Sequence, residues 1–323
     1  MASDEPEIAE VPAGHAVRRP HQTDVGTVFS VFATHNTALL GFADVTVEDI
    51  VDNFAEPGFD LEADAWLAHG ADGRPSGYGC VFAGTGGPEH HVEVVADDPA
   101  LAGWLLDQVV ARSRAIAAER GQPEVAIDIG LYRDDHPIRS LAAEAGFEPG
   151  TTFHRMRIDH PGPVPAPELP AGVVRRTGDE GVDVRRAAHA VIDAAFAGQF
   201  GITPQPFDEW HAVREARSTF DWSQLVLLEV DGVPLAARED NDQFVDDEDC
   251  GYVARLGVLD GGRGRGLAKL LLRDAFATHA AAGLAGTILH VDTNNPTPAL
   301  GLYRSVGMEP VLVIDVWRAH LPT

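Results

Sequence analysis

Leu256-Gly257-Val258-Leu259-Asp260-Gly261-Gly262-Arg263-Gly264-Arg265-Gly266-Leu267-Ala268, running straight into Lys269-Leu270-Leu271-Leu272, is the stretch on which the reading of this chain turns. An apolar strand ends at Val258, a glycine-rich turn follows, and an amphipathic helix begins near Gly266. The first amides of a helix have no intrahelical acceptor, so they face outward at this turn. The helix N-terminus adds about half a positive charge, glycines at 264 and 266 allow close backbone approach, and Arg263 and Arg265 add full charges. The combination reads as a cradle for a diphosphate. The alternative is a plain strand–turn–helix corner whose arginines are solvated. A nucleotide P-loop is a poor match, because no Lys-Ser/Thr ending is present. A dinucleotide fingerprint fits no better, because Arg263 stands between Gly262 and Gly264.

The chain's 323 residues suit two domains of ordinary size, each able to bury a core, and 45% hydrophobic content marks a globular protein. A formal charge of −26 argues against nucleic acid or an anionic membrane as the main partner, since both need clustered cations. Lys269 is the only lysine, so arginine carries almost all the positive charge. Cys80 and Cys250 are the only cysteines, which implies neither a disulfide framework nor a cysteine zinc site, and a reducing cytoplasm is the expected location. The acidic start, Met1 to Glu10, has no basic or apolar leader character, and no apolar run reaches membrane-spanning length.

Residues 1–14 read as a loose tail and residues 15–159 as a first domain. In it, helices are expected from Val25 and Thr46, over 100–119 and over Pro137–Glu144. Strands are expected at 65–68, 77–83, 91–96, 125–131 and 153–158. Prolines at 161, 163, 165, 167 and 170 make 160–172 an extended linker. Residues 173–323 then repeat the order: strand, two helices (182–196 and 207–217), strands at 225–230, 233–237 and 252–258, the helix after the cradle, a strand at 287–292, a short helix at 298–305 and a strand at 311–316. Residue matches support duplication. Gly146-Phe147-Glu148-Pro149 corresponds to Gly307-Met308-Glu309-Pro310, and at the same separation Pro137 matches Pro298 and Leu141 matches Leu302. The first copy has Ala96-Asp97-Asp98-Pro99 in place of the Arg/Gly turn, and Ala142 in place of Tyr303.

Arg263-x-x-Gly266-x-Ala268 after Val258 resembles the Arg/Gln-x-x-Gly-x-Gly/Ala signature of the GNAT superfamily of acyl-CoA-dependent N-acyltransferases. Asn295 followed by Ala299-Leu300-Gly301-Leu302-Tyr303-Arg304-Ser305-Val306-Gly307-Met308 resembles its second signature. A tandem arrangement with a degenerate first copy is similar to mycothiol synthase and its actinobacterial relatives. The resemblance implies an α/β fold of the α+β kind. Two tandem GNAT-like domains would each have a mixed, mostly antiparallel sheet with splayed central strands flanked by helices.

The resemblance further implies that acetyl-CoA is the co-substrate, with no metal. Its pantetheine arm would lie between splayed strands and pair with main-chain groups of Leu256, Gly257 and Val258. Its diphosphate would rest on Arg263, Gly264, Arg265, Gly266, Leu267 and Ala268, and Asn295 would reach the arm. Asn295 followed by Pro296 also reads as a helix N-cap. Tyr303 would protonate the departing thiolate, or else it packs under its helix. Family members often carry Glu or His six or four residues before the strand's last valine. Here those positions hold Tyr252 and Ala254, which leaves His290 and Glu248, with Asp249, as candidates to receive the acceptor's proton. The acceptor is expected to be a small-molecule amine. The run Glu239–Asp249, with seven carboxylates, either draws its cationic form or is a solvated loop. Phe196, Phe200, Phe207 and Trp210 line the acceptor site or belong to the core. His90-His91 beside Glu93 reads as a polar strand end rather than a metal site. Transfer of acetyl to a small-molecule amine is the expected activity. The alternatives are acetylation of a cysteinyl pseudodisaccharide and a non-catalytic acyl-CoA-binding role; the oligomeric state stays open.

Overall fold

Apolar alternation and helical periodicity along the chain produce the elements of two units, Met1–Gly150 with Asp315–Thr323, and Thr151–Ile314. The structure is a computed structural model and describes residues 10–197, 205–217, 219–294 and 299–323. The first unit runs β1 (His15–Arg18), α1 (Val25–Leu40), α2 (Val47–Phe54), α3 (Leu61–Asp64), β2 (Ala65–Gly70), β3 (Pro75–Phe82), β4 (Glu89–Ala96), α4 (Pro99–Glu119), β5 (Glu124–Tyr132) and α5 (His136–Glu144). The strand β6 (Glu148–Asp159) leads into the second unit. That unit continues with β7 (Val173–Thr177), α6 (Val182–Phe196), α7 (Phe207–Ala216), β8 (Leu225–Val230), β9 (Val233–Asn241), α8 (Val245–Glu248), β10 (Cys250–Val258), α9 (Leu267–Ala281), β11 (Gly286–Asp292), α10 (Ala299–Ser305) and β12 (Glu309–Pro322).

In the first unit the strands lie in the order β1-β2-β3-β4-β5, with β12 beside β5. Every pair among β1 to β4 is antiparallel, and β4 with β5 is parallel. In the second unit the order is β6-β11-β10-β9-β8-β7. There β10 and β11 are parallel and the other pairs are antiparallel. Each sheet is covered on both faces. Helix α4 buries Leu101, Leu105 and Val109 on one face of the first sheet, and α1 and α2 bury Val28, Val31 and Ile50 on the other. In the second unit, Leu272, Ala275 and Phe276 of α9 pack on one face and Val191, Ile192 and Trp210 of α6 and α7 on the other.

Chain order does not determine which sheet a strand joins. The segment 153–158, read from sequence as closing the first half, pairs with β11: Phe153 faces Asp292 and Ile158 faces Thr287. Met156 is buried there among Leu289, Val291 and Met308. In return, the end of β12 joins the first unit, where Ala319 is buried and Trp317 and Leu321 pack on that unit's core. Short helices α3 and α8 are additions to the sequence reading. Among the described residues no helix is long and apolar enough to cross a membrane.

Candidate active site

The parallel pairing of β10 and β11 stops at Val253 opposite Leu289, yet β10 runs on to Val258 and β11 to Asp292. Beyond that point the strands part. On its other edge β10 pairs with β9 through Val258 opposite Ala236, with a bulge between Val253 and Arg255. Alternate amides of an antiparallel strand face its two neighbours. Around Leu256, Gly257 and Val258, therefore, some main-chain groups face the gap with no strand to receive them. A cavity of about 680 Å³ opens there, lined along its length by Tyr252, Arg255, Leu256, Val258, Arg263, Gly266, Lys269, His290 and Tyr303. This volume lies within the range of small-molecule sites.

At one end lies the glycine turn. Gly264 has φ +74° and Gly266 φ +78°, the left-handed region where a Cβ is strained. Gly266 is the N-cap of α9 and the first helical hydrogen bond runs from the Leu270 N–H to the Gly266 carbonyl at 3.0 Å. The amides of Leu267, Ala268 and Lys269 precede that bond and have no intrahelical acceptor. Arg265 and Lys269 are exposed beside them, and Arg263 forms a surface pair with Asp260 at 2.9 Å, a kind of bridge worth little in water. Sequence reading did not assign Lys269 to the site. The residues therefore fit a diphosphate. Asn295 lies outside the described residues, as does Phe200. Phe196 lines the cavity, while Trp210 is buried in the core and Phe207 packs against it.

In the first unit the equivalent parting follows Val92 opposite Ile129, but the helix start is closed. The Asp98 carboxylate accepts from the amides of Ala100 and Leu101 at 2.8 and 3.0 Å, and Pro99 contributes no N–H. A built-in anion thus occupies the helix N-terminus. His35 bridges Asp97 and Asp135 beside it at 3.2 and 2.9 Å, and both carboxylates raise its pKa.

Tyr303, on α10, is buried at the cavity wall, and burial pushes its phenol up to about 12. Tyr252 and His290 face each other from β10 and β11. Arg155 Nε donates to His290 Nε2 at 3.1 Å, which leaves the histidine proton on Nδ1 and directs it to Tyr252 Oη at 3.0 Å. Burial and the Arg155 charge hold His290 down at about 3. This geometry opposes the expectation that His290 receives a proton: its lone pair is committed and its other nitrogen donates. It instead orients the Tyr252 hydroxyl.

Glu248 is likewise committed, its two oxygens accepting from Arg155 Nη1 at 2.8 Å and Arg157 Nη1 at 2.9 Å. Both oxygens are thus taken by guanidiniums, and Glu248 does not line the cavity. The acidic run divides: Asp242, Asp246, Asp247 and Asp249 are exposed, as a solvated loop would have them, and its first residues are not. Glu239, Asp240 and Asn241 are buried in β9; Glu239 is bonded to Arg214 and Asp240 to Arg238. Arg214 claims Glu239 from α7, a relation local spacing does not reveal, whereas Arg238 claims Asp240 from two residues away on the same strand. Among the described residues no group of three or more His, Cys, Asp or Glu gathers as a metal site.

Residues 194–308 match the acetyltransferase (GNAT) family. That segment is similar to GNAT acetyltransferases. It contains the cradle, both parting strands and Tyr303. A mycothiol acetyltransferase of Frankia alni is 30% identical over 213 residues, 63% of this chain and 62% of that relative, so the match spans less than two thirds of the relative's length. Among solved structures, a GCN5-related N-acetyltransferase from Sphaerobacter thermophilus covers 97% of this chain and 98% of its own, with a TM-score of 0.82 and 23% identity. A tandem GNAT protein from the clavulanic acid biosynthesis pathway covers 95% of this chain and 98% of its own, with a TM-score of 0.70 and 16% identity. At these identities the likeness is one of fold, and it extends the GNAT architecture over both halves of the chain.

Proposed function

We propose that the second unit is an acyltransferase that moves acetyl from acetyl-CoA to the amine of a small molecule by direct attack. The observation that carries this reading is the single cavity joining an anion cradle, the unpaired edge of β10 and a buried tyrosine. The diphosphate would rest on the amides of Leu267 to Lys269 and the side chains of Arg263, Arg265 and Lys269. The pantetheine arm would act as the missing strand along Leu256–Val258, and an amide near Val258 would hold the developing oxyanion. Tyr303, kept protonated by burial, would give its proton to the departing thiolate as the carbon–sulfur bond breaks. The first unit, its helix start taken by Asp98, would serve as a degenerate copy.

An alkylamine with pKa near 10.4 must lose a proton before attack, at a cost of about 4.6 kcal/mol at pH 7. With His290 and Glu248 committed, that proton goes to water in the cavity. The narrower reading, suggested by the Frankia relative, is a cysteinyl pseudodisaccharide acceptor. Free CoA release from acetyl-CoA across an amine panel that includes this thiol tests both. Native mass spectrometry should find one CoA per chain. Two per chain would contradict the closed first copy, and binding without release in any mixture would favour a non-catalytic acyl-CoA-binding role.

A further inference from the structure

Arg255 is anomalous in its surroundings. The chain has 50 Asp and Glu against 24 Lys and Arg, so carboxylates are in excess. Within the second unit Arg155, Arg157, Arg175, Arg214 and Arg238 are each bonded to one. Arg255 lines the cavity, half-buried, and among the described residues it has no ion pair or hydrogen bond to a carboxylate. The segments of this unit outside the description, 198–204, 218 and 295–298, contain no Asp or Glu to supply one. Its cross-strand neighbour is Glu239, but Glu239 receives Arg214 at both oxygens, at 3.0 and 3.3 Å. A half-buried guanidinium facing a cavity without a counter-ion is costly unless an anion arrives from outside.

The side chain also points away from the phosphate end. After the bulge, Arg255 and Gly257 share a face of β10, and a Cβ at Gly257 would lie 2.7 Å from the Ala195 Cβ of α6. That face looks toward α6 and α7, not into the gap between β10 and β11. Along the strand Arg255 stands about 10 Å before Val258, where the cradle begins. Arg255 therefore gives the cavity a cationic point apart from the cradle, and the diphosphate of acetyl-CoA accounts only for the cradle.

We propose that the acceptor is an amine that also bears an anionic group, a carboxylate or a phosphate, and that Arg255 grips this group while the amine meets the acetyl carbon. The guanidinium fork suits either anion in a two-point contact. This rests on the acetyl-transfer reading. It names an acceptor chemistry that a neutral pseudodisaccharide lacks.

The test is CoA release with matched acceptors: amino acids beside their amides, and amino-sugar phosphates beside the free amino sugars. The anionic member of at least one pair should be preferred about 10- to 100-fold in kcat/KM, and the preferred series tells carboxylate from phosphate. In Arg255→Gln that preference should collapse through acceptor KM, with the KM for acetyl-CoA held, and Arg255→Lys should restore part of it. Unchanged thermal melting and CoA binding in both variants would exclude misfolding. Equal use of charged and neutral members, or a rise in acetyl-CoA KM instead, would overturn the assignment. Turnover with neutral amines alone would sink only this inference, whereas no turnover with any amine would sink the acetyl-transfer reading beneath it.

Discussion

Tyr303 and His290 make opposite statements about proton traffic. Burial raises the Tyr303 phenol to about 12 and, with Arg155, lowers His290 to about 3. Between pH 6 and 10 neither changes its charge, so the protein contributes no limb to the rate profile there. The ascending limb should belong to the acceptor amine and move when an amine of different pKa is used. A limb fixed near 6.5 for every amine would show that a histidine receives the proton after all. Tyr303→Phe removes the acid without changing packing, and kcat should fall about 10²- to 10⁴-fold with acetyl-CoA KM little changed. Full activity in that variant would remove the tyrosine from the mechanism. The cradle glycines were legible in the sequence because turn conformation is a local property, and Tyr303 was singled out by the resemblance of its helix to a family signature. The status of Arg255 was not, because it depends on Glu239 being taken by Arg214, on another element.

At the scale of elements, two strand–helix corners of similar origin carry opposite chemistry. In the second unit, Gly266→Ala would place a Cβ at φ +78°, costing about 1–2 kcal/mol. Relaxation of the turn should raise the KM for acetyl-CoA while leaving acceptor KM unchanged; a normal KM would mean the turn does not hold the phosphates. In the first unit, β4 keeps Glu93 four residues before Asp97, where β10 has Ala254. Burial pushes Glu93 from 4.5 up to about 7, with the Cys80 thiol donating to it at 3.8 Å. Because the folded state holds this proton more tightly than the unfolded chain does, stability declines as pH rises from about 4.5 to 7, by about 3 kcal/mol. Glu93→Gln should therefore stabilise the protein at pH 8 and have little effect at pH 4.5, read by denaturant titration at both. An equal shift at both pH values would refute a titrating Glu93. Most elements were readable from periodicity, including α6 and α7; the burial of Glu239 and Asp240 was not, because a run of acids reads as solvated until its arginines are in place.

For the whole molecule, strand exchange decides what can fold alone. Chain order assigns 153–158 to the first half and 311–316 onward to the second. Pairing assigns Thr151–Asp159 to the sheet of β11 and the chain after Asp315 to the sheet of β5. Local pattern identifies a strand but is silent on its neighbour, since alternation is the same beside β5 as beside β11. Cutting at the proline-rich linker would leave a fragment 173–323 whose β11 has lost its antiparallel partner and whose core lacks Met156. The exposed edge would invite aggregation. A fragment 151–314 keeps β6, all the strands of its sheet and every residue lining the large cavity. Fragment 173–323 should therefore give poorly dispersed amide resonances and no CoA binding, while fragment 151–314 gives a cooperative melt and retains CoA. Equal folding of the two fragments would mean that β6 contributes little to the second sheet. Deletion of 315–323 from the full chain should act on the other unit. It removes Ala319 from the core and the Arg318 contact with Asp128 at 2.7 Å, and the melt of the first unit should fall while CoA affinity holds.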